Sequence, residues 1–146
     1  MFDSLLSSID ERKKEKMNQQ KGEDLKIINE KFPGAITDKS GLMYVVTQQG
    51  SGESPKQGHE ITVHYTGKLV NDKVFDSSVK RNEPFEFMVG VHEVIEGWDI
   101  AFQQMKKGEK RTLIIPPELG YGSRGAAGII PPNAWLIFDV ELIDFK

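Results

Sequence analysis

Residues 94–105, Val94-Ile95-Glu96-Gly97-Trp98-Asp99-Ile100-Ala101-Phe102-Gln103-Gln104-Met105, form the one stretch beyond residue 40 that suits a helix. Trp98, Ile100, Ala101, Phe102 and Met105 supply its apolar positions, and Gly108 marks its stop. On either side the chain breaks into short runs rich in β-branched and aromatic residues, separated by turn formers. Strands are predicted over 42–47, 61–66, 68–70, 73–75, 85–89, 111–115 and 135–143, with Asn71-Asp72 as a hairpin turn between the third and fourth runs. Counting that hairpin conservatively gives five or six strands and one helix, which is the α+β class with an antiparallel sheet. A lone amphipathic helix covers one face of a flat sheet at most. The sheet is therefore expected to curl around it, leaving a cleft where helix and sheet do not meet.

The first 40 residues have a different texture, rich in Glu, Lys, Gln and Asn, with no proline before Pro33. Phe2, Leu5, Leu6 and Ile9 follow the i, i+3, i+4, i+7 spacing of a short amphipathic helix, although Ser8 and Glu11 would fit a capping box that starts it later. Leu25, Ile28 and Phe32 are spaced for a second helix, closed by Pro33-Gly34. Residues 1–36 are thus expected to be a helical arm on a domain spanning 37–146. Two fates are open to such an arm: a solvated extension, or a helix that packs on the domain or pairs with a second chain.

Composition removes several functions. The formal net charge of -3 leaves no basic excess for nucleic acid. Without cysteine there is no disulfide, thiolate metal site or thiol nucleophile. No run reaches the roughly 18–20 apolar residues of a membrane span. At the N-terminus the apolar residues precede Arg12-Lys13-Lys14, the reverse of a secretory signal. A cytoplasmic protein is the expectation, or a periplasmic one if a signal has been trimmed away.

Motifs for bond-making chemistry are missing as well. Gly120-Tyr121-Gly122-Ser123-Arg124-Gly125 satisfies the dinucleotide pattern, but Pro116-Pro117 and Pro131-Pro132 flank it and no helix can follow. His59, His64 and His92 lack metal-ligand spacing, and no serine-hydrolase elbow or zinc-protease motif occurs. Glu93 and Glu96 suit the positive end of the helix that follows them. The informative residues are aromatic: Tyr65, Phe75, Phe85, Phe87, Trp98, Tyr121 and Phe138, drawn from separate elements apart from the pair Phe85 and Phe87. Core packing accounts for any one of them. Trp98 at a helix entrance and Tyr121 in a Gly/Pro-rich loop stand where ligand contacts are common. Asp76, after an aromatic at a strand end, suits an Asx turn or a carboxylate at a cleft rim with Arg81 nearby.

Seven segments in register carry a family resemblance: Val63-His64-Tyr65-Thr66-Gly67, Phe75-Asp76-Ser77-Ser78, Pro84-Phe85-Glu86-Phe87, Val94-Ile95-Glu96-Gly97-Trp98, Gly120-Tyr121-Gly122, Gly128-Ile129-Ile130-Pro131-Pro132 and Phe138-Asp139-Val140-Glu141-Leu142. Over about residues 41–144 the chain resembles the FKBP-type prolyl isomerases, and the arm resembles bacterial members with an N-terminal extension. The resemblance implies a half-open sheet around one helix with an apolar proline pocket between them. It makes Trp98 the pocket floor and Tyr65, Phe75, Phe85, Val94, Ile95 and Phe138 its walls. Asp76 would stand at the rim, bonded to Tyr65 or Arg81. Tyr121 and the Ile95 N–H would hold ligand carbonyls, under a flap carrying Ile129 and Ile130. Where many members have His-Pro in that flap, this chain has Ala126-Ala127, which leaves substrate preference open.

The implied function is rotation of X-Pro bonds in unfolded or partly folded proteins, with macrolides as possible competing ligands. The catalytic contacts would be Tyr65, Asp76, Trp98, Tyr121 and Phe138. No cofactor or metal is called for, since no bond is made. The other readings are a proline-peptide or macrolide binding module, or a folding chaperone with weak catalysis. Either a monomer or a dimer joined through the arm is compatible with the sequence.

Overall fold

The computed structural model describes residues 22–146. The predicted helix built on Phe2, Leu5, Leu6 and Ile9 lies outside the described residues. The described chain begins in a helix, α1, over 22–31, and continues through β1 (Ile36–Thr37), β2 (Met43–Gln48), β3 (Glu60–Leu69) and β4 (Val74–Ser77). Then come α2 (Ser78–Arg81), β5 (Phe85–Met88), α3 (Glu96–Phe102), β6 (Lys110–Ile115), a 3-10 turn (Pro117–Leu119) and β7 (Leu136–Phe145). Among the described residues the strands form one antiparallel sheet of seven, in the order β1-β2-β6-β7-β3-β4, with β5 also paired to β3. The seventh strand is β1, only two residues long and beyond what periodicity can reveal. The helix expected over 94–105 is shorter, Glu96–Phe102.

Alternation along the strands sets the layers. In β3, Ile61, Val63 and Tyr65 face the same core as Leu136, Phe138, Val140 and Leu142 of β7, with α3 supplying Trp98, Ala101 and Phe102. This places α3 against one face of the sheet, as expected. The opposite face is also dry along β6, where Leu113 and Ile115 point to the α3 side and Ile114 to the other. What covers Ile114 is α1: Ile28 is fully buried with Met43, Ile114 and Trp135, and Leu25 and Phe32 pack beside it. The Lys31 amine reinforces the contact by donating to Val70 O (2.8 Å) and Asp72 (3.0 Å).

The described part of the arm is therefore a packed helix rather than a solvated one, with Leu25, Ile28 and Phe32 turned to the sheet and Ile27 left exposed. Deleting buried methyl groups there costs transfer energy and leaves a cavity. Ile28→Ala is expected to destabilise the protein by about 3 kcal/mol. Urea unfolding followed by tryptophan fluorescence measures this, because Trp135 lies against Ile28. An unchanged midpoint would mean that the helix adds nothing to the fold.

Candidate functional site

The cleft forms where β3, β4, β5, β7 and the approach to α3 diverge. Its volume is about 260 Å3, and Tyr65, Phe75, Asp76, Phe85, Glu93, Val94, Ile95, Trp98, Tyr121 and Phe138 line it. Trp98, in the first turn of α3, is 5% exposed and carries the floor. The rings of Tyr65 and Phe138 meet it edge to face at centroid distances of 4.9 and 5.3 Å, and Phe85 does so at 6.2 Å. Phe75 stands at right angles to Phe138, 5.5 Å away. Edge-to-face contact fixes rings against one another, so the box is shaped before anything enters it.

Gly67 makes the box possible. It lies opposite Phe138 in the β3–β7 register, and a Cβ there would come within 2.5 Å of the Phe138 ring and 2.7 Å of Phe75. A glycine inside a strand is a recognised sign of close approach, and this one was readable as such.

The polar rim is built by a break in the β3 edge. β5 pairs with Glu60–Val63 and β4 with Thr66–Lys68, which leaves Tyr65 between them. Its N–H donates instead to the Ser78 hydroxyl (2.8 Å), buried at the start of α2. Ser77 caps that one-turn helix by accepting from Lys80 N (3.2 Å). The turn returns Arg81 to the rim, where it donates to Asp76 and to the Tyr65 hydroxyl (3.0 Å). Tyr65 itself donates to the other Asp76 oxygen at 2.6 Å. Asp76 therefore binds both of its expected partners.

These contacts set the charges. Burial alone raises the Asp76 carboxyl, but the hydrogen bonds from Tyr65 and Arg81 and the guanidinium charge outweigh it, leaving the group below the ordinary carboxylate range. The Tyr65 phenol is pushed up by burial and by its bond to Asp76. Tyr121 is raised too, by burial and then by the Asp76 charge. At its rim the cleft thus presents the fixed Asp76 carboxylate and two neutral phenols around an apolar floor.

Ten of the twelve side chains singled out in the sequence gather here, Arg81 acting from behind Asp76. Two do not. Ile129 is 55% exposed and does not line the cleft, while Ile130 is buried in the main core. Reciprocal backbone bonds between Ala126 and Ile130, both 2.8 Å, close the loop and turn Ile130 inward. One lining residue was not foreseen: Glu93 is on the loop before α3, not on the helix, and accepts from Met88 N (2.9 Å). A larger groove of about 470 Å3 runs between α1, the β3–β4 turn and Pro131-Pro132. It lacks a comparable convergence of rings and paired charge, so the smaller cleft is the functional candidate. Among the described residues no group of three metal-ligating side chains occurs, and no helix is long and apolar enough to cross a membrane.

Comparison with known proteins gives a consistent picture. A family model described as FKBP-type peptidyl-prolyl cis-trans isomerase matches residues 51–143. FK506-binding protein 1 of Dictyostelium discoideum is 51% identical over 106 residues, 73% of this chain and 99% of that one. A probable FKBP-type peptidyl-prolyl cis-trans isomerase of Haemophilus influenzae is 47% identical over 129 residues, 88% of this chain but 53% of that one. The crystal structure of AtFKBP13 superposes with a TM-score of 0.72 at 44% identity, over 77% of this chain and 98% of that one.

Proposed function

The chain belongs to the family of FKBP-type peptidyl-prolyl cis-trans isomerases, and from that premise we propose that the aromatic cleft is the seat of its activity. The reaction is rotation about an X-Pro peptide bond, whose barrier of about 18–20 kcal/mol comes from amide resonance. In the planar amide that resonance separates charge, and water stabilises it. A twisted amide has lost much of the separation and loses less on entering an apolar box. A proline ring seated on Trp98, between Phe75, Phe85 and Phe138, therefore favours the twisted state over the planar one. The Tyr121 hydroxyl and the Ile95 N–H hold the flanking carbonyls and direct the twist. A thousandfold acceleration needs only about 4 kcal/mol of such discrimination.

The observation that carries this reading is the joining of an apolar aromatic box to the Asp76 carboxylate, paired with Tyr65 and Arg81. Asp76 keeps Tyr65 oriented along the wall and supplies a fixed dipole at the rim. Proline-containing, partly folded proteins are the substrates this box suits. FK506-binding names among the relatives support a macrolide as a competing occupant of the same box.

A protease-coupled assay on a short proline peptide tests the reading on the full chain. Asp76→Asn should lower kcat/KM about tenfold, the loss of roughly 1.4 kcal/mol of transition-state binding. For a carboxyl depressed in the folded protein, the charged form is present above the ordinary value and lost as pH falls through the folded one. With the phenols raised, turnover should be flat between about pH 5 and about pH 9, falling below that range as Asp76 protonates and above it as the phenols ionise. Wild-type turnover equal to the uncatalysed rate, or an Asp76→Asn variant as fast as wild type, would falsify the assignment.

A further inference from the structure

We infer that Asp99 is a positioning residue for the reaction: its carboxylate holds the loop that carries one wall of the cleft. Asp99 lies one residue beyond the floor tryptophan, and at 5% exposure it is among the most buried carboxylates of the described chain. Asp99 does not itself line the cleft. Its two oxygens accept from separate backbone groups, Gly90 N at 2.8 Å and His92 N at 3.0 Å. Its own N–H donates to Ile95 O at 3.2 Å. One residue therefore grips the loop near its start and again at its end.

The loop needs the grip. Gly90 and His92 both have positive φ, +81° and +63°. For His92 that is a left-handed conformation side chains rarely adopt, and it persists only where the surroundings enforce it. Backbone N–H groups splayed by such a conformation form a concavity suited to an anion. The Asp99 carboxylate occupies that concavity from within the protein. Glu93 adds a second tie by accepting from Met88 N. The segment so anchored carries Glu93, Val94 and Ile95, all part of the cleft lining. A truncated side chain at position 99 strands both N–H groups and an amide strands one of them; either loosens the turn, so the wall shifts while floor and rim stay in place.

This inference rests on the cleft being the proline site, which wild-type peptide turnover tests separately. Its own test is Asp99→Asn in the full chain. The amide side chain offers an NH2 where the loop presents a donor, so one of the two bonds is lost. We expect kcat/KM for the peptide to fall about tenfold, mainly through KM, since wall contacts act in ground and transition states alike. Exchange of the Gly90 and His92 amides, slow in the wild type, should accelerate selectively. Ile28→Ala supplies the control, destabilised in the other core and far from the loop, and its kcat/KM on folded protein should match wild type. If Asp99→Asn does not fold, the wild-type amides still decide. Fast exchange at Gly90 and His92 in the native protein overturns the inference. So does turnover by Asp99→Asn within twofold of wild type, or an equal loss in Ile28→Ala.

Discussion

Replacing Phe138 by alanine is expected to abolish most turnover and to cost about 3–5 kcal/mol of stability at the same time. The ring is 3% exposed and contacts Phe75, Trp98 and Tyr65 at centroid distances of 5.5, 5.3 and 6.3 Å. It also fills the space that Gly67 leaves open in the neighbouring strand. Without it the box loses a wall, and the three rings that leaned on it lose their fixed edge. Water can then reach the amide, and the preference for the twisted state falls with it. We expect kcat/KM on a proline peptide to drop about a hundredfold, equivalent to roughly 2.7 kcal/mol. Phe138→Leu separates the two consequences. It restores much of the volume, so stability should recover to within about 1.5 kcal/mol of wild type. It does not restore the flat wall, so activity should stay well below wild type. Assays run where each variant is fully folded, checked by thermal melts, make the comparison fair. Turnover by Phe138→Ala within threefold of wild type would show that isomerisation happens elsewhere.

The contrast between Phe138 and its surroundings explains what a sequence discloses here. Phe138 lies in a ten-residue strand whose inward positions, Leu136, Phe138, Val140 and Leu142, alternate without a break. Period-two signals of that length name both the strand and its buried face, and β3 is legible for the same reason. The helix α3 was legible because nothing else beyond residue 40 competes for the role. The rim was not. Its geometry depends on α2, one turn of helix held by the Ser77 cap, far too short for propensity to announce. It depends also on Ser78 replacing a strand as the partner of Tyr65 N, which is a tertiary event. Ile130, which the resemblance placed on a flap above the pocket, is instead packed in the main core. Two backbone bonds to Ala126 decide its direction, and loop composition does not announce them. Glu93 was read from its neighbours in sequence, and its place at the cleft comes from how the loop turns. Periodicity made the strand and helix side chains visible, whereas Asp76 near a strand end and Val94, Ile95 and Tyr121 in loops were placed at the cleft by the motif resemblance.

The same division predicts where stability can be removed without touching the chemistry. At the far end of α3 from the cleft, Glu109 and Arg111 form an ion pair with side chains only 5% and 8% exposed. Glu109 stands just before β6 and Arg111 is its second residue. Arg111 lies over the Tyr44 ring, 4.3 Å from its centroid. Its other contacts, to Gln104 Oε1 and Gln104 O, are long at 3.3 and 3.4 Å. Gln104 in turn donates to Asp38 at 2.6 Å, tying in the segment between β1 and β2. Glu109→Ala leaves the guanidinium buried with only the ring and those long bonds to satisfy it. A buried pair broken from one side costs about 3–5 kcal/mol, because the surviving charge keeps its desolvation penalty and loses its compensation. Removing both charges should cost far less. The double variant Glu109→Leu with Arg111→Met is expected to lie within about 1–2 kcal/mol of wild type, since apolar replacements pack without a stranded charge. A double-mutant cycle by urea unfolding measures the coupling directly. Peptide turnover per folded molecule should be unchanged throughout, because none of these side chains lines the cleft. If Glu109→Ala unfolds at the wild-type midpoint, the pair is solvated in solution and the network adds nothing. If the double variant is as unstable as the single one, the geometry of the pair, rather than charge balance, holds β2, β6 and the end of α3 together.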